Sequence, residues 1–259
     1  MQKMPRLSAL YYHHFMLRLF TIFLLLFCSA SAFALSQDEV VAGAEQMYRK
    51  RMTELQQRFM LDDDADFLTR VERVLQPLLR QAKLDYPASA AWRWEIHTSS
   101  EPDETAYCMA GGKLLVSQNQ VLALNLNDAE LAMLLSHEMQ HALQQHNLKE
   151  YLEAMRLFPV WKTRPFSALE DAVDNESTLI LALSALNLKQ EGEADIEGMK
   201  LAWRAGWRAH DLAQFFKKLA RSSSRPNFDS ASHPASGRRW QVARELAATL
   251  DASKKDTLP

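Results

Sequence analysis

The sequence predicts a mainly α-helical (α+β) protein in which a small β-sheet lies beside one central helix. Seven glycines are few for 259 residues, and long segments repeat their apolar residues at helical spacing. Strand-like alternation is confined to a short region around residues 91–117. With 47% hydrophobic residues, the chain can bury one sizeable globular core.

The first 34 residues differ in composition from the rest of the chain. Basic residues precede an uncharged apolar run at 19–27, and small residues follow it up to Ala34. This order is typical of a cleavable signal peptide. We therefore expect a signal peptide at 1–34, a single domain at 35–259 and a periplasmic location. An uncleaved membrane anchor is the alternative, although the apolar run is short for a transmembrane helix.

Charge and cysteine content narrow the class of protein further. The formal net charge of −2 shows no excess of basic residues, so we expect no nucleic-acid partner. Removal of the signal peptide would take Cys28 with it and leave Cys108 as the one cysteine. A single cysteine forms no internal disulfide, so stability is expected to depend on packing.

Helical patterns flank the centre of the chain. Residues 36–83 predict two covering helices, and the run Asp62–Asp64 between them is interpreted as a helix N-cap region rather than a calcium loop, because the EF-hand glycine and glutamate are absent. Residues 156–177 contain two prolines and could form a mobile flap. Residues 179–188 predict a buried helix that is too short to span a membrane.

Strand patterns occur in two places. Residues 91–98 alternate bulky and polar side chains, and His97 among them is interpreted as a satisfied histidine rather than a metal ligand. Gly111-Gly112 marks a turn between two further short strands, of which the second ends near Ser117. At the edge of a sheet this second strand could pair with an extended peptide, and otherwise it is simply an edge strand.

The central helix is predicted from a capping-box pattern, with Asn127 as N-cap and Glu130 three residues later, and runs to about His146. It carries an H-E-x-x-H motif whose two histidines, His137 and His141, lie one turn apart on one face.

Both imidazoles of this motif can reach one metal ion, with Glu138 beside them to act as a general base. The alternative is a surface helix with two solvated histidines. The apolar residues before the motif argue against that alternative, because a buried helix needs partners for these polar groups. His146 lies about 140° further round the helix, so we expect it not to share the site.

A second segment, residues 189–198, is rich in acidic side chains. It could be a solvated helix face, the usual meaning of a run of charges. A catalytic zinc ion, however, commonly takes three protein ligands, so one carboxylate is needed besides the two histidines. Glu191 and Asp195 are four residues apart on one face, so one could bind metal while the other orients a ligand imidazole. Glu193 is expected to point elsewhere on that helix.

These two segments together resemble a known family, the zinc metallopeptidases of peptidase family M48 that include HtpX and the periplasmic protease BepA. That family joins H-E-x-x-H to a downstream E-x-x-x-D on a second helix, which here corresponds to Glu191-Gly-Glu-Ala-Asp195. The similarity extends over about residues 40–245. It includes Thr105-Ala106-Tyr107, Gly111-Gly112, Gly198, Arg204-Ala205-Gly206-Trp207, Leu212 to Leu219, Arg225-Pro226, Ser232-His233-Pro234 and Arg239.

The resemblance implies a gluzincin-like zinc metallopeptidase domain that binds one Zn²⁺ per chain. The zinc ligands would be His137, His141 and Glu191, and Glu138 would be the general base of peptide hydrolysis.

The resemblance also implies roles for residues around this centre. Asp195 would hold a ligand histidine, and His233 would lie near the zinc, either as an oxyanion donor or at the fourth position in a resting state. Arg239 would support them. Thr105 and Ala110 replace a usual asparagine and a usual proline of the family beside the substrate strand.

The expected function is that of a small periplasmic zinc endopeptidase that hydrolyses peptide bonds in unfolded or misassembled cell-envelope proteins, a quality-control role. Its partners would be polypeptide substrates, and an association with the outer membrane or its assembly machinery is implied. The alternative is a chaperone-like binding protein for outer-membrane polypeptides, with little or no proteolysis.

Overall fold

The structure, a computed structural model, describes residues 35–255, so the predicted signal peptide at 1–34 lies outside the described residues. The helices are α1 (Gln37–Gln57), α2 (Ala65–Asp85), α3 (Gln118–Ala123), α4 (Asp128–Leu143), α5 (His146–Leu157), α6 (Phe166–Asn175), α7 (Ser177–Arg204), α8 (Ala209–Ser222) and α9 (Ser236–Lys255). The strands are β1 (Glu95–Ser99), β2 (Tyr107–Met109) and β3 (Lys113–Ser117), and short 3₁₀ helices span Pro87–Ala91 and Pro159–Thr163. The predicted mainly α-helical fold with a small sheet is confirmed. Among the described helices, none combines the length and the apolar character that crossing a bilayer requires.

The sheet has the strand order β1-β3-β2, with β1 parallel and β2 antiparallel to β3. Gly111 and Gly112 form the predicted turn between β2 and β3, with φ values of +80° and +82° that favour glycine. The strand that ends at Ser117 is the central strand, not an edge, because β1 covers its second side. Within residues 35–255, no strand pairs with the other side of β2, and β2 packs near α4.

Helix α4 lies at the centre of the fold and packs against α2, α7, α8 and β2. Its residues are apolar on several sides, and a helix that is hydrophobic all round is expected to be buried. Asn127 caps it as predicted: its side chain accepts from Glu130 N at 3.0 Å, and Glu130 accepts from Asn127 N at 2.7 Å. Lys218 Nζ lies 2.6 Å from the same carboxylate, which joins α8 to the start of α4.

The two covering helices, α1 and α2, are separated by the predicted break at residues 62–64. Asp64 is the N-cap of α2 and accepts a hydrogen bond from Phe67 N at 2.9 Å, as predicted. Helix α1 is held to the sheet by Tyr48, whose hydroxyl donates to the Leu114 carbonyl at 2.6 Å. Residues 156–177 contain a 3₁₀ helix and α6, which packs against α5 and α7, and their mobility stays a prediction.

The chain turns sharply after α4, where the sequence predicted continuous helix to about His146. Gln145 adopts a left-handed conformation with φ of +57°, and this residue ends one helix direction and begins another. Helix α5 therefore starts at His146, whose side chain is turned back towards α4.

Helix α7 joins the predicted apolar helix and the acidic segment into one helix of 28 residues. It crosses α4 closely at Gly198, where an added Cβ atom would lie 2.9 Å from the backbone nitrogen of His137. Only glycine permits this approach. The crossing brings Glu191 and Asp195 to the face of α4 that carries the histidine pair.

Candidate metal centre

Three side chains converge between α4 and α7. His137 Nε2 lies 3.4 Å from His141 Nε2 and 3.5 Å from Glu191 Oε2, and His141 Nε2 lies 3.2 Å from Glu191 Oε1. Their ligand atoms all lie within 4.8 Å of one another. Ligands of a tetrahedral zinc ion at about 2 Å stand about 3.3 Å apart, so these separations suit one small cation. The cluster could hold a metal ion.

The electrostatics of the cluster also favour a cation. Glu191 is 7% exposed, and its Oε2 atom has no hydrogen-bond donor among the described residues. Burial opposes its charge, but His137 and His141 hold the pKa of this carboxyl well below its usual range. Burial likewise opposes a charged His137, yet the negative charges of Glu191 and Asp195 raise the pKa of this imidazole to about 10. The cluster therefore needs positive charge, which a metal ion would supply without protonating the imidazole.

His137 is held from behind by a charged pair. Its Nδ1 atom lies 2.9 Å from Asp195 Oδ1, a close contact at an angle poor for a hydrogen bond. Arg239 from α9 donates to both oxygens of Asp195, at 2.8 and 2.6 Å. Burial works against the charge of Asp195, but the guanidinium keeps the pKa of the carboxyl below its usual value. This places Asp195 on a cluster histidine, where the family resemblance puts it.

Glu138 lines a cleft of about 820 Å³ together with both cluster histidines. Burial raises the pKa of its carboxyl. Because Glu138 is not among the three clustered residues, its carboxylate is free to contact a molecule that enters the cleft.

His233 lies at the rim of the same cleft, on the loop before α9. Its Nε2 atom is 3.5 Å from Glu191 Oε2, and its Nδ1 atom is 2.9 Å from Ser232 Oγ. More than half of its side chain, 56%, is exposed. A histidine in this position can reach both the cluster and a molecule bound beside it.

The unpaired side of β2 borders the cleft, where Thr105, Ala106 and Tyr107 line one wall. Apolar side chains of Leu134 and Phe215 line another part of the wall. A free strand edge offers backbone donors and acceptors to an extended peptide. Of the two departures from the family pattern, Thr105 contributes to this wall, whereas Ala110 is buried directly after the strand and does not line the cleft.

Two further observations concern histidines. His97 lies outside the cluster and contacts Asp62, so the prediction of a satisfied histidine is confirmed. His146 does not belong to the cluster of ligand atoms, as expected, but it lies closer than its place on a continuous helix implied: its Nδ1 atom is 3.1 Å from His141 Nδ1. The left-handed Gln145 turns it back, and the residue at that position is neither glycine nor asparagine, the types that favour this conformation.

Known proteins with similar sequences include the OMA1 metalloendopeptidases. The chain is 29% identical to mitochondrial metalloendopeptidase OMA1 of Arabidopsis thaliana over 161 residues, which are 61% of the chain and 33% of the relative. It is 24% identical to the mitochondrial metalloendopeptidase OMA1 of Bos taurus over 213 residues, 76% of the chain and 40% of the relative. For the OMA1 protein of Saccharomyces cerevisiae the identity is 22% over 180 residues, 64% of the chain and 51% of the relative. The chain thus spans between a third and a half of the length of these relatives.

These relatives correct one prediction. The expected periplasmic location is wrong, because the similar proteins are named as mitochondrial proteins and not as periplasmic ones. The specific likeness to HtpX and BepA, and the signal peptide, stay predictions.

The family to which the sequence belongs is shown by a match to a family model. The family model of peptidase family M48 covers residues 68–247, more than half of the chain and all of the clustered side chains. The predicted class of enzyme, a metallopeptidase with this fold, is confirmed at the level of the family. The chain belongs to peptidase family M48.

Proposed function

We propose that the chain is a zinc-dependent endopeptidase. The observation that carries the proposal is the convergence of His137, His141 and Glu191 in one cleft with Glu138. Two imidazoles and one carboxylate, with one side left open, are a donor set that zinc takes in hydrolases. Bound zinc would act as a Lewis acid towards the scissile carbonyl and bring the pKa of water towards neutrality.

In this proposal Glu138 moves the proton. Its carboxylate takes a proton from the attacking water and delivers it to the nitrogen of the leaving amine. The position of Glu138 next to His137 in the sequence, in the same cleft, supports this role.

The surrounding residues orient the reacting groups. Asp195 fixes the ring of His137, and Arg239 fixes the carboxylate of Asp195. His233 is assigned to the oxyanion, as a hydrogen-bond donor, or to a fourth ligand position in a resting state. Its 3.5 Å separation from Glu191 supports either position.

The substrate is a polypeptide in an extended conformation, and we propose unfolded or misassembled proteins as its source. The free side of β2 supports this class, because a strand edge pairs with backbone groups and tolerates many side-chain sequences. A folded segment could not lie flat along such an edge. Envelope proteins as substrates, and an association with the outer membrane or its assembly machinery, stay predictions.

The test combines metal analysis with hydrolysis of casein, a disordered protein. We expect Glu138→Gln to keep its zinc and to lose hydrolysis by a factor on the order of 10²–10⁴, the contribution of a general base. Glu197→Gln is the matched control: it makes the same change on α7, where Glu197 pairs with Lys200 at 2.7 Å outside the cleft lining. It should retain both zinc and hydrolysis.

Two results would overturn the proposal. Full casein hydrolysis by Glu138→Gln would remove Glu138 from its role. A wild-type protein that binds casein with no cleavage, in the presence of zinc, would favour the chaperone-like alternative.

A further inference from the structure

His146 is a buried side chain that the proposed chemistry does not use. It is 1% exposed and opens α5, immediately after the left-handed turn at Gln145. Its Nδ1 atom lies 3.1 Å from Nδ1 of His141, and the two rings meet edge to face with centroids 5.0 Å apart. The second nitrogen of a proposed metal ligand therefore contacts another imidazole.

The tautomers of the two rings follow from this contact. A His141 that offers Nε2 to a cation carries its proton on Nδ1, and that N–H can donate only to an acceptor. Nδ1 of His146 accepts if the proton of that ring is on Nε2. His146 is then a neutral imidazole, with one donor and one acceptor nitrogen.

Glu193 completes the arrangement from α7. Its Oε2 atom is 3.5 Å from Nε2 of His146, a close approach without a hydrogen bond, and that buried nitrogen has no hydrogen-bond partner among the described residues. A carboxylate there favours the proton on Nε2 of His146 and so leaves Nδ1 free to accept. Glu193 thus lies outside the cluster, as expected, and points towards His146.

The backbone of His146 is held by the same helix. Gln190 Nε2, on a side chain that is 4% exposed, donates to the His146 carbonyl at 3.2 Å. Gln190 directly precedes Glu191 in α7. Both the main chain and the ring of His146 are therefore positioned by the helix that supplies the carboxylate of the cluster.

We propose that His146 is a positioning residue that fixes the tautomer and the ring orientation of His141, and that Glu193 in turn fixes His146. The inference rests on the proposed zinc site. It gives the two histidines of the H-E-x-x-H motif different supports: a carboxylate paired with Arg239 behind His137, and a neutral imidazole backed by a carboxylate behind His141.

The experiment measures the zinc dissociation constant of the full chain by competition with a chromophoric chelator. His146→Leu keeps an apolar volume of similar size but removes the acceptor, and we expect zinc binding to weaken about 10- to 100-fold. His146→Asn can place its amide oxygen near the position of Nδ1, so we expect it to restore binding to within about threefold of wild type. A purely structural role predicts the opposite order, because leucine fills the buried space better than asparagine.

Glu193→Gln supplies a second variant that does not alter the buried ring. We expect it to weaken zinc binding about threefold in the wild-type background and to have no further effect in His146→Leu, because it acts through His146. Circular dichroism of the metal-free proteins checks that each variant is folded. If His146→Leu does not fold, the effect of Glu193→Gln on zinc binding is compared between the wild-type and the His146→Asn backgrounds instead. We expect the effect to be smaller in the His146→Asn background.

The outcomes separate this inference from the proposed function. Zinc binding by folded His146→Leu that equals wild type, or His146→Asn weaker than His146→Leu, overturns the role of His146. Equal effects of Glu193→Gln with and without the imidazole overturn the role of Glu193. A wild-type protein that binds no zinc overturns the proposed function itself.

Discussion

The close crossing of α4 and α7 at Gly198 leads to a quantitative prediction. A Cβ atom at this position would lie 2.9 Å from His137 N, 3.0 Å from His137 Cα and 3.1 Å from the carbonyl carbon of Ser136. All three are backbone atoms of the central helix, so no side-chain rotation can relieve the contacts. To reach ordinary van der Waals separation, of about 3.4 Å or more, α7 must retreat by about 0.5 Å.

Gly198→Ala should therefore reduce both stability and metal affinity. Overpacking of this kind costs about 1–3 kcal/mol, against a gain in helix propensity of up to about 1 kcal/mol. We expect a net loss of about 1–2 kcal/mol in the free energy of unfolding, which for a chain of this size is about 2–8 °C in melting temperature. The same retreat would draw Asp195 and Glu191 away from His137, and we expect zinc binding to weaken about tenfold.

Gly192→Ala is the matched control within the same helix. An added Cβ atom at Gly192 meets nothing within 4 Å, so the alanine should stabilise the helix by up to about 1 kcal/mol and leave zinc binding unchanged. Thermal unfolding of the metal-free variants and chelator competition measure the two quantities separately. If Gly198→Ala were as stable as Gly192→Ala and bound zinc as tightly, the crossing would not be the feature that positions the carboxylates.

Three further predictions concern interactions away from the cluster. Glu170 is 3% exposed, and burial raises its pKa from 4.5 to about 7. Between these pH values the native state holds a proton that the unfolded state releases, so stability falls as the pH rises from about 4.5 to 7. Glu170→Gln should raise the free energy of unfolding by up to about 3 kcal/mol at pH 8 and by little at pH 4, as measured by denaturant unfolding. The hydrogen bond to Asp62 raises the pKa of His97, and although burial opposes the charge of Asp62, His97 and Thr98 keep the pKa of its carboxyl below the usual value. The pair therefore stabilises the fold most between about pH 4 and 6.5 and less above this range. Asp62→Asn should cost about 2 kcal/mol in the free energy of unfolding at pH 5 and less at pH 9, and a constant difference would contradict the pairing. Tyr48→Phe removes the buried hydrogen bond that joins α1 to the sheet and should cost about 1 kcal/mol with no change in zinc binding.

The parts of the site that could be predicted from sequence are those set by local geometry. Helical periodicity places His137 and His141 one turn apart, and the same rule places Glu191 and Asp195 on one face of α7. The capping box at Asn127 marks where α4 begins because it satisfies backbone groups within the first turn. None of these features requires knowledge of how the helices pack.

The parts that could not be predicted depend on how segments meet. Residue spacing on a continuous helix put His146 on a different face from His141, and the left-handed Gln145 changed that relation. The central position of β3 follows from its parallel pairing with β1, which is separated from it in the chain by β2. Alternation within a strand does not determine its neighbours, so sequence alone could not distinguish a central strand from an edge.

The residues behind the cluster explain why so many charges are buried around one small site. A buried ion pair such as Asp195 with Arg239 contributes little net stability, because removing both charges from water offsets most of their attraction. Its value here is orientation: the guanidinium holds both oxygens of Asp195, and one of them meets the ring of His137. Arg239 belongs to α9 and Asp195 to α7, so the orientation of a helix-α4 imidazole depends on three helices at once. The geometry of the cluster is therefore coupled to the packing of the whole domain, and a small shift between helices, such as the one expected for Gly198→Ala, should be detected first as a loss of metal affinity.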